Sequence, residues 1–249
     1  YDQFGPRYTS YPTADRFHQR FTAADYVSAL IERGQHDRSD PGFASSGRNP
    51  LSLYVHVPFC STICFYCGCN KVITKDHGRS AKYIRYVARE IGIVASILET
   101  DAPVVQIHLG GGTPTFLARD EMADLVGHLR RHFEVESDAE ISIEVDPRKV
   151  DAATIDFLAG LGFNRISVGI QDFDPAVQRA VNRIQGEVET RRVIDAARAN
   201  GFASVNVDLI YGLPRQTVDN FAVTLDKVVA AGPDRIALYS YAHLPHLFK

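Results

Sequence analysis

The sequence predicts an α/β fold built on a parallel sheet with helices outside, and two observations carry that expectation. From residue 51 onward, strand-like and helix-like runs alternate about six times, the rhythm of repeated strand–helix units. Within the strand-like runs one side is aliphatic and the other polar, whereas a sheet covered by helices on both faces would be aliphatic on both. Helical connections at both ends of each strand make a wet flat face hard to arrange. A barrel with a polar interior, opening at the C-terminal ends of its strands, is therefore preferred to an open sheet with one solvated face.

The elements follow in order. Residues 1–50 read as an N-terminal arm and linker: PRYTSYPT (6–13) is extended by its prolines, FTAADYVSALIERG (21–34) has helical spacing with a glycine stop, and DPGFASSGRNP (40–50) is a linker. Residues 51–249 form the barrel. Strands are expected at 51–59, 104–112, 140–147, 165–171, 204–214 and 235–245. Helices are expected at 79–98, 119–133, 151–162, through much of 172–200, and at 217–232. Because strand side chains alternate, Tyr54, His56 and Pro58 share a side that leads to Cys60. Gln106 and His108, then Ser142, Glu144 and Asp146, then Ser167, Gly169 and Gln171, then Asn206 and Asp208 continue that polar side from strand to strand.

Composition excludes several classes. The 249 residues are 45% hydrophobic and 23% charged, with a formal net charge of -3. No basic run or global positive field points to nucleic acid. No apolar stretch approaches the roughly 18 to 20 residues of a membrane helix, and no signal-peptide pattern is present. The first residue is Tyr1, not Met. A cytoplasmic protein is the expectation.

All four cysteines of the chain fall in CSTICFYCGCN, residues 60–70. Clustered thiols without disulfide partners elsewhere point to metal binding or chemistry. Zinc sites usually draw cysteine pairs from two separated turns, so C-x3-C-x2-C-x-C in one loop favours the larger iron–sulfur cluster, with zinc left open. The closing C-x-C places Cys69 awkwardly for a fourth bond. Gly110, Gly111, Gly112 and Thr113 end the second strand and would let a ligand approach the backbone closely. Glu144 ends the third strand and, if buried, needs a cationic or donor partner; a structural ion pair is the plain alternative. Tyr54 and His56 share their face with Cys60, and a hydrogen-bonded core histidine is the plain alternative for His56.

CxxxCxxC after a first strand resembles the signature of the radical S-adenosylmethionine superfamily. PRYTSYPT, LYVHVPFC, CGCNK, HLGGGTPT, EISIEVDPR, GFNRISVGIQDF, VNR, NVDLIYGLP and YAHLP, in order, resemble the oxygen-independent coproporphyrinogen III oxidases (coproporphyrinogen dehydrogenases) within it. The resemblance implies a partial (β/α)6 TIM-like barrel. It also implies a [4Fe–4S] cluster held by Cys60, Cys64 and Cys67, whose open iron takes S-adenosylmethionine, with a second S-adenosylmethionine nearby. One electron would cleave the sulfonium bond, and the 5′-deoxyadenosyl radical would take a hydrogen from a propionate. Loss of CO2 and an electron, at two propionates of coproporphyrinogen III, would leave the vinyl groups of protoporphyrinogen IX.

The resemblance assigns Tyr54, Tyr66, Gly111, Gly112, Thr113, Glu144, Gln171, Arg183, Asp208 and Ala242 to cofactor binding, with Tyr54 and His56 as catalytic candidates. Arg183 would fork onto a cofactor carboxylate; from spacing alone, an arginine in this helical region is more often solvated. Tyr8 and Tyr11 of the arm are candidates to fold over the site, with a surface tail as the plain alternative, and Arg7 is a candidate for a substrate carboxylate; spacing derives neither. An electron donor and a monomeric state are implied as well. The sequence stops at Lys249, whereas the resembling family continues into a C-terminal domain. Two relatives offer rival readings, a haem chaperone without oxidase activity and a haem-degrading methyltransferase; a zinc-binding interaction module is more distant. Cys69 and the YTSYPT arm favour the oxidase, because the chaperone branch carries Phe at the first position and lacks the second.

Overall fold

In the computed structural model, residues 16–18, 20–39, 50–98 and 102–242 are described. The expectations for Arg7, Tyr8 and Tyr11 lie outside them. The main sheet has six parallel strands: β1 (Leu51–Val57), β4 (Val104–Gly111), β5 (Val135–Val145), β6 (Arg165–Gln171), β7 (Ser204–Tyr211) and β8 (Arg235–Ser240), in that spatial order. Sequential parallel order is what strand–helix repeats produce when every crossover has the same hand. Among the described residues β1 and β8 do not pair with each other, so the barrel is partial.

The helices are α1 (Ala23–Ser39), α2 (Gly78–Leu98), α3 (Arg119–His132), α4 (Ala152–Gly160), α5 (Pro175–Ala180), α6 (Glu187–Ala199) and α7 (Val218–Ala230), with a 3-10 turn at Pro114–Phe116. Several starts are locally encoded. Asp151 accepts from Thr154 N at 2.8 Å, Asp174 accepts from Ala176 N at 2.7 Å, and Thr217 and Asn220 cap α7 reciprocally.

The outer face of the sheet is the dry one. Ile107, Leu109, Ile141, Ile143, Ile166, Val168, Val205, Val207 and Leu209 are buried there in the main core, with Leu125, Ile155 and Ile194 from the helices. The inner face carries the polar series, and register places its members side by side. Ser52 is opposite Gln106, His108 opposite Ser142, Glu144 opposite Ser167, and Ser167 opposite Asn206. Three of these pairs are hydrogen bonded, at 2.6 to 2.8 Å. A row of polar residues becomes a hydrogen-bonded lining.

Two expectations are corrected. Gly34 does not stop the first helix, which runs on to Ser39. A Cβ there would lie 2.1 Å from the Leu98 carbonyl oxygen, so this glycine allows α1 to meet the end of α2. The first strand does not reach 59. It ends at Val57, and β2 (Phe59–Cys60) pairs instead with β3 (Val72–Ile73), a short parallel pair with no periodicity long enough to read.

Candidate active site

The β2–β3 pair turns the cysteine stretch into a closed loop. Val72 N donates to Pro58 O at 2.7 Å and Thr74 N to Cys60 O at 2.9 Å. Lys71 reaches back into the loop, donating to the carbonyls of Cys67 at 2.8 Å and Cys69 at 3.3 Å. His56 ties the loop's end to β1: its Nε2 bonds Asn70 O at 2.8 Å and its Nδ1 bonds the Tyr54 hydroxyl at 3.1 Å. A carbonyl can only accept, so Nε2 carries the proton and Nδ1 accepts from Tyr54. Tyr54 stacks on His108 at 5.7 Å between ring centroids.

The four thiols occupy different surroundings. Cys64 is buried, Cys60 and Cys67 are half-buried, and Cys69 is exposed. The Cys69 thiol's hydrogen bond, outweighing partial burial and aided by the Cys69 backbone and Lys71, lowers the Cys67 thiol to about 6. The same interaction, with burial, pushes Cys69 up. Burial raises Cys60, whose sulfur lies 3.6 Å from the Thr113 hydroxyl.

Next to the loop, the end of β4 presents backbone. Gly111 has φ of +115, and a Cβ there would meet the His56 ring at 2.7 Å, so a glycine is required on both counts. Its N–H donates to Glu144 Oε2 at 3.1 Å, and Glu144 Oε1 lies 3.2 Å from His108 Nε2. Gly112 N and Thr113 N donate to Val57 O and Phe59 O, both at 2.8 Å, locking the glycine turn onto β1 and β2.

The later strands contribute side chains. Asp208 accepts from Ser167 Oγ at 3.0 Å and Asn206 Nδ2 at 2.9 Å. Burial, reinforced by the Glu144 charge and opposed by these hydrogen bonds, raises its carboxyl to about 6. Gln171 ends β6 with φ of +69, a left-handed conformation costly for a non-glycine residue. The sheet register slips between Gly169 and Gln171 at the same point.

These groups surround one cavity of roughly 640 Å³ at the C-terminal edge of the sheet. Cys60, Cys64, Tyr66, Cys67, Gly111, Gly112, Thr113, Glu144, Gln171, Arg183, Asp208 and Ala242 all line it. Tyr54 and His56 do not; they stand behind the loop and hold it, with Tyr54 59% exposed. Arg183 is not solvated but buried in the turn between α5 and α6. It binds the Gly169 carbonyl at 2.7 Å and the Gln185 amide oxygen at 3.2 Å.

Sequence reasoning passed over Arg148, Lys71 and Tyr239, which also line the cavity, and gave no role to Asp146 and His108. The Asp-Pro-Arg run at 146–148 was the available signal for two of them: a carboxylate and a guanidinium on either side of a rigid residue just past a strand.

The thiols suit a multi-atom group. A single zinc ion would draw its donors to about 2.3 Å. Here Cys60, Cys64, Cys67 and Cys69 line a wide cavity with room for a larger group. Three sulfurs for four irons would leave one iron free for a further ligand.

The model of the Radical SAM superfamily matches residues 54–228. The chain is 51% identical over 250 aligned positions to the oxygen-independent coproporphyrinogen III oxidase of Pseudomonas aeruginosa, covering 100% of this chain and 52% of that protein. It is 44% identical over 248 positions to the protein of that name from Escherichia coli, covering 100% and 51%. A solved structure of coproporphyrinogen III oxidase from Escherichia coli, titled a radical SAM enzyme, matches with a TM-score of 0.87 at 43% identity, over 97% of this chain and 52% of that one. A methylornithine synthase structure matches at 0.53 and 14% identity, over 89% and 61%, and shares the fold alone. The chain spans about half the length of the curated relatives it matches.

Proposed function

The chain belongs to the radical S-adenosylmethionine superfamily, and from that premise we propose that it serves the oxygen-independent conversion of coproporphyrinogen III to protoporphyrinogen IX. The observation that carries the proposal is a cavity in which the C-x3-C-x2-C thiols meet the C-terminal ends of the sheet strands. The relatives' shared name along the full chain supports the substrate. The same name does not favour the haem-chaperone or methyltransferase readings.

Cys60, Cys64 and Cys67 would hold a [4Fe–4S] cluster. Gly111, Gly112, Thr113 and Glu144 would receive one S-adenosylmethionine, with Tyr54 behind them. Tyr66, Gln171, Arg183, Asp208 and Ala242 would face a second. When bound, the cluster and S-adenosylmethionine supply an electron and a carbon radical able to take hydrogen from a propionate. The protein's own part is positioning and exclusion. Gly111 N–H holds Glu144 in place, and Glu144 would offer its carboxylate to an ammonium or to ribose hydroxyls. His56 and Tyr54 fix the end of the cysteine loop. Pre-set groups of this kind matter because a primary carbon radical attacks most C–H bonds it reaches.

Among the described residues no helix is long and apolar enough to cross a membrane. A cytoplasmic location, a monomeric state and a separate electron donor belong to the same proposal. The test is anaerobic reconstitution with iron and sulfide, in the longest natural protein that carries these residues. Incubation with reductant, S-adenosylmethionine and coproporphyrinogen III follows. Divinyl product with 5′-deoxyadenosine is expected; tight haem binding without decarboxylation would overturn the proposal in favour of a chaperone.

A further inference from the structure

The four thiols that line the cavity differ in charge environment, and Cys64 is the extreme case. Its sulfur receives two guanidinium groups: Arg148 Nη2 at 3.9 Å and Arg183 Nη1 at 3.8 Å. Between the arginines stands Asp146. Arg148 grips it with Nε at 2.9 Å from Oδ1 and Nη2 at 2.6 Å from Oδ2, while Arg183 Nη2 lies 3.5 Å from Oδ1. The side chains of Asp146, Arg148 and Arg183 are only 11%, 16% and 9% exposed. By contrast Cys60 faces a neutral hydroxyl, and beside Cys67 the lone Lys71 ammonium is shared with two backbone carbonyls.

The arrangement is rigidly built. Pro147 fixes the backbone between Asp146 and Arg148, and Arg148 N also donates to Asp146 Oδ1 at 3.1 Å. Holding a bare carboxylate and two guanidiniums away from water is costly unless they satisfy one another, and here they do. Burial works to raise the Asp146 carboxyl, but the Arg148 hydrogen bonds and the Arg183 charge hold it below the usual carboxylate range. The ion-paired set therefore carries one net positive charge against a single sulfur.

We propose that Asp146, Arg148 and Arg183 set the reduction potential of the group held by Cys60, Cys64 and Cys67, with Arg148 and Asp146 as opposed positioning residues around Cys64. This rests on the reading that a [4Fe–4S] cluster binds there. Reduction adds one negative charge to the cluster and its sulfur ligands. N–H donors and a net cation at Cys64 stabilise the reduced form more than the oxidised one, and the low local dielectric amplifies the effect. A cluster that must pass an electron to S-adenosylmethionine, yet still be reducible by its donor, needs its potential placed, and this set supplies a fixed local field to place it. Arg183 would then serve two faces, with Nη1 toward Cys64 and the rest of the side chain at the cavity wall.

The test is an EPR-monitored potentiometric titration of the anaerobically reconstituted chain, with iron and sulfide content measured alongside. Arg148→Met removes a cation and should lower the midpoint potential. Asp146→Asn removes the opposing anion and should raise it. The expected size is roughly a tenfold change in the reduction equilibrium in each direction, about 59 mV for a one-electron couple. Opposite signs separate a field effect from general loosening of the loop, which would move both variants the same way. Unchanged potentials or same-sign shifts in loaded variants overturn the inference. If Arg148→Met takes up no cluster, Arg148→Lys carries the cation-side arm. Lysine keeps the charge without the fork, so a potential within a few millivolts of wild type is expected, and a drop of the full roughly 59 mV in that charge-conserving variant would sink the field effect. A wild-type chain that takes up no cluster would instead overturn the proposed function itself, so the two failures are distinguishable.

Discussion

The cavity has two halves made of different materials. The half built by β1, β4 and β5 consists of thiols and a backbone-anchored frame: the cysteine loop, the Gly111 N–H that holds Glu144, and the carbonyl-anchored turn at Gly112 and Thr113. The half built by β6, β7 and β8 offers side chains: Ser167, Asn206 and Asp208 bonded to one another, Gln171 in a left-handed conformation, and Tyr239 and Ala242 at the rim. Backbone groups persist through most substitutions, whereas a network of three side chains fails when one is lost. The first half should therefore fail only at its thiols and its carboxylate, and the second half should register single changes in its electrostatics.

Substitutions test that contrast, and the largest expected effect is Cys64→Ser. The hydroxyl is a poor ligand for iron, and cluster content measured as iron and sulfide after reconstitution should fall to background. Retention of a full cluster would remove Cys64 from the ligand set.

Asp208 comes next. Its folded carboxyl is raised from 3.8 to about 6, principally by burial, so its contribution to stability is fully present below pH 3.8 and is lost as pH rises through about 6. The shift corresponds to about 3 kcal/mol. Denaturant unfolding of the cluster-free chain across pH 3.5 to 7 should show wild type losing roughly that much relative to Asp208→Asn. Parallel curves for the two proteins would contradict a buried, partly protonated Asp208.

Glu144→Gln keeps an acceptor for Gly111 N–H but removes the charge. Losing a charge-assisted hydrogen bond is worth about 1.5–3 kcal/mol, so S-adenosylmethionine affinity of the reconstituted chain should drop roughly 10- to 100-fold by calorimetry. An unchanged affinity would separate this carboxylate from cofactor binding.

The smallest effect is expected at Cys69→Ser. Cys69 is exposed and lies outside the C-x3-C-x2-C spacing. Iron and sulfide content should match wild type. A loss equal to that of Cys64→Ser would mean that the thiols are not divided as described.

Much of this was readable in the chain. Alternation along 140–146 and 165–171 marked the wet face, and the spacing of Cys60, Cys64 and Cys67 marked the loop. Both are repeats of local geometry, which neighbouring residues alone determine. The misreadings have a common origin. Gly34 looks like a helix stop until Leu98 is placed against it, and Phe59–Cys60 looks like the tail of a strand until Val72–Ile73 pairs with it. Arg183 looks solvent-exposed until Asp146 and Gly169 are brought beside it.

The sequence by itself determined the strand–helix order, the polar side of each strand and the cluster of four thiols, because periodicity and spacing act over a few residues. Only the tertiary structure decided which thiol is which. Parallel register brings β5 and the turn after α5 to the same sulfur, placing Arg148 and Arg183 at Cys64 from 84 and 119 residues away along the chain. Cys69 is left as the exposed member of the four. Charge interactions depend on distance through space, which no spacing along the chain encodes.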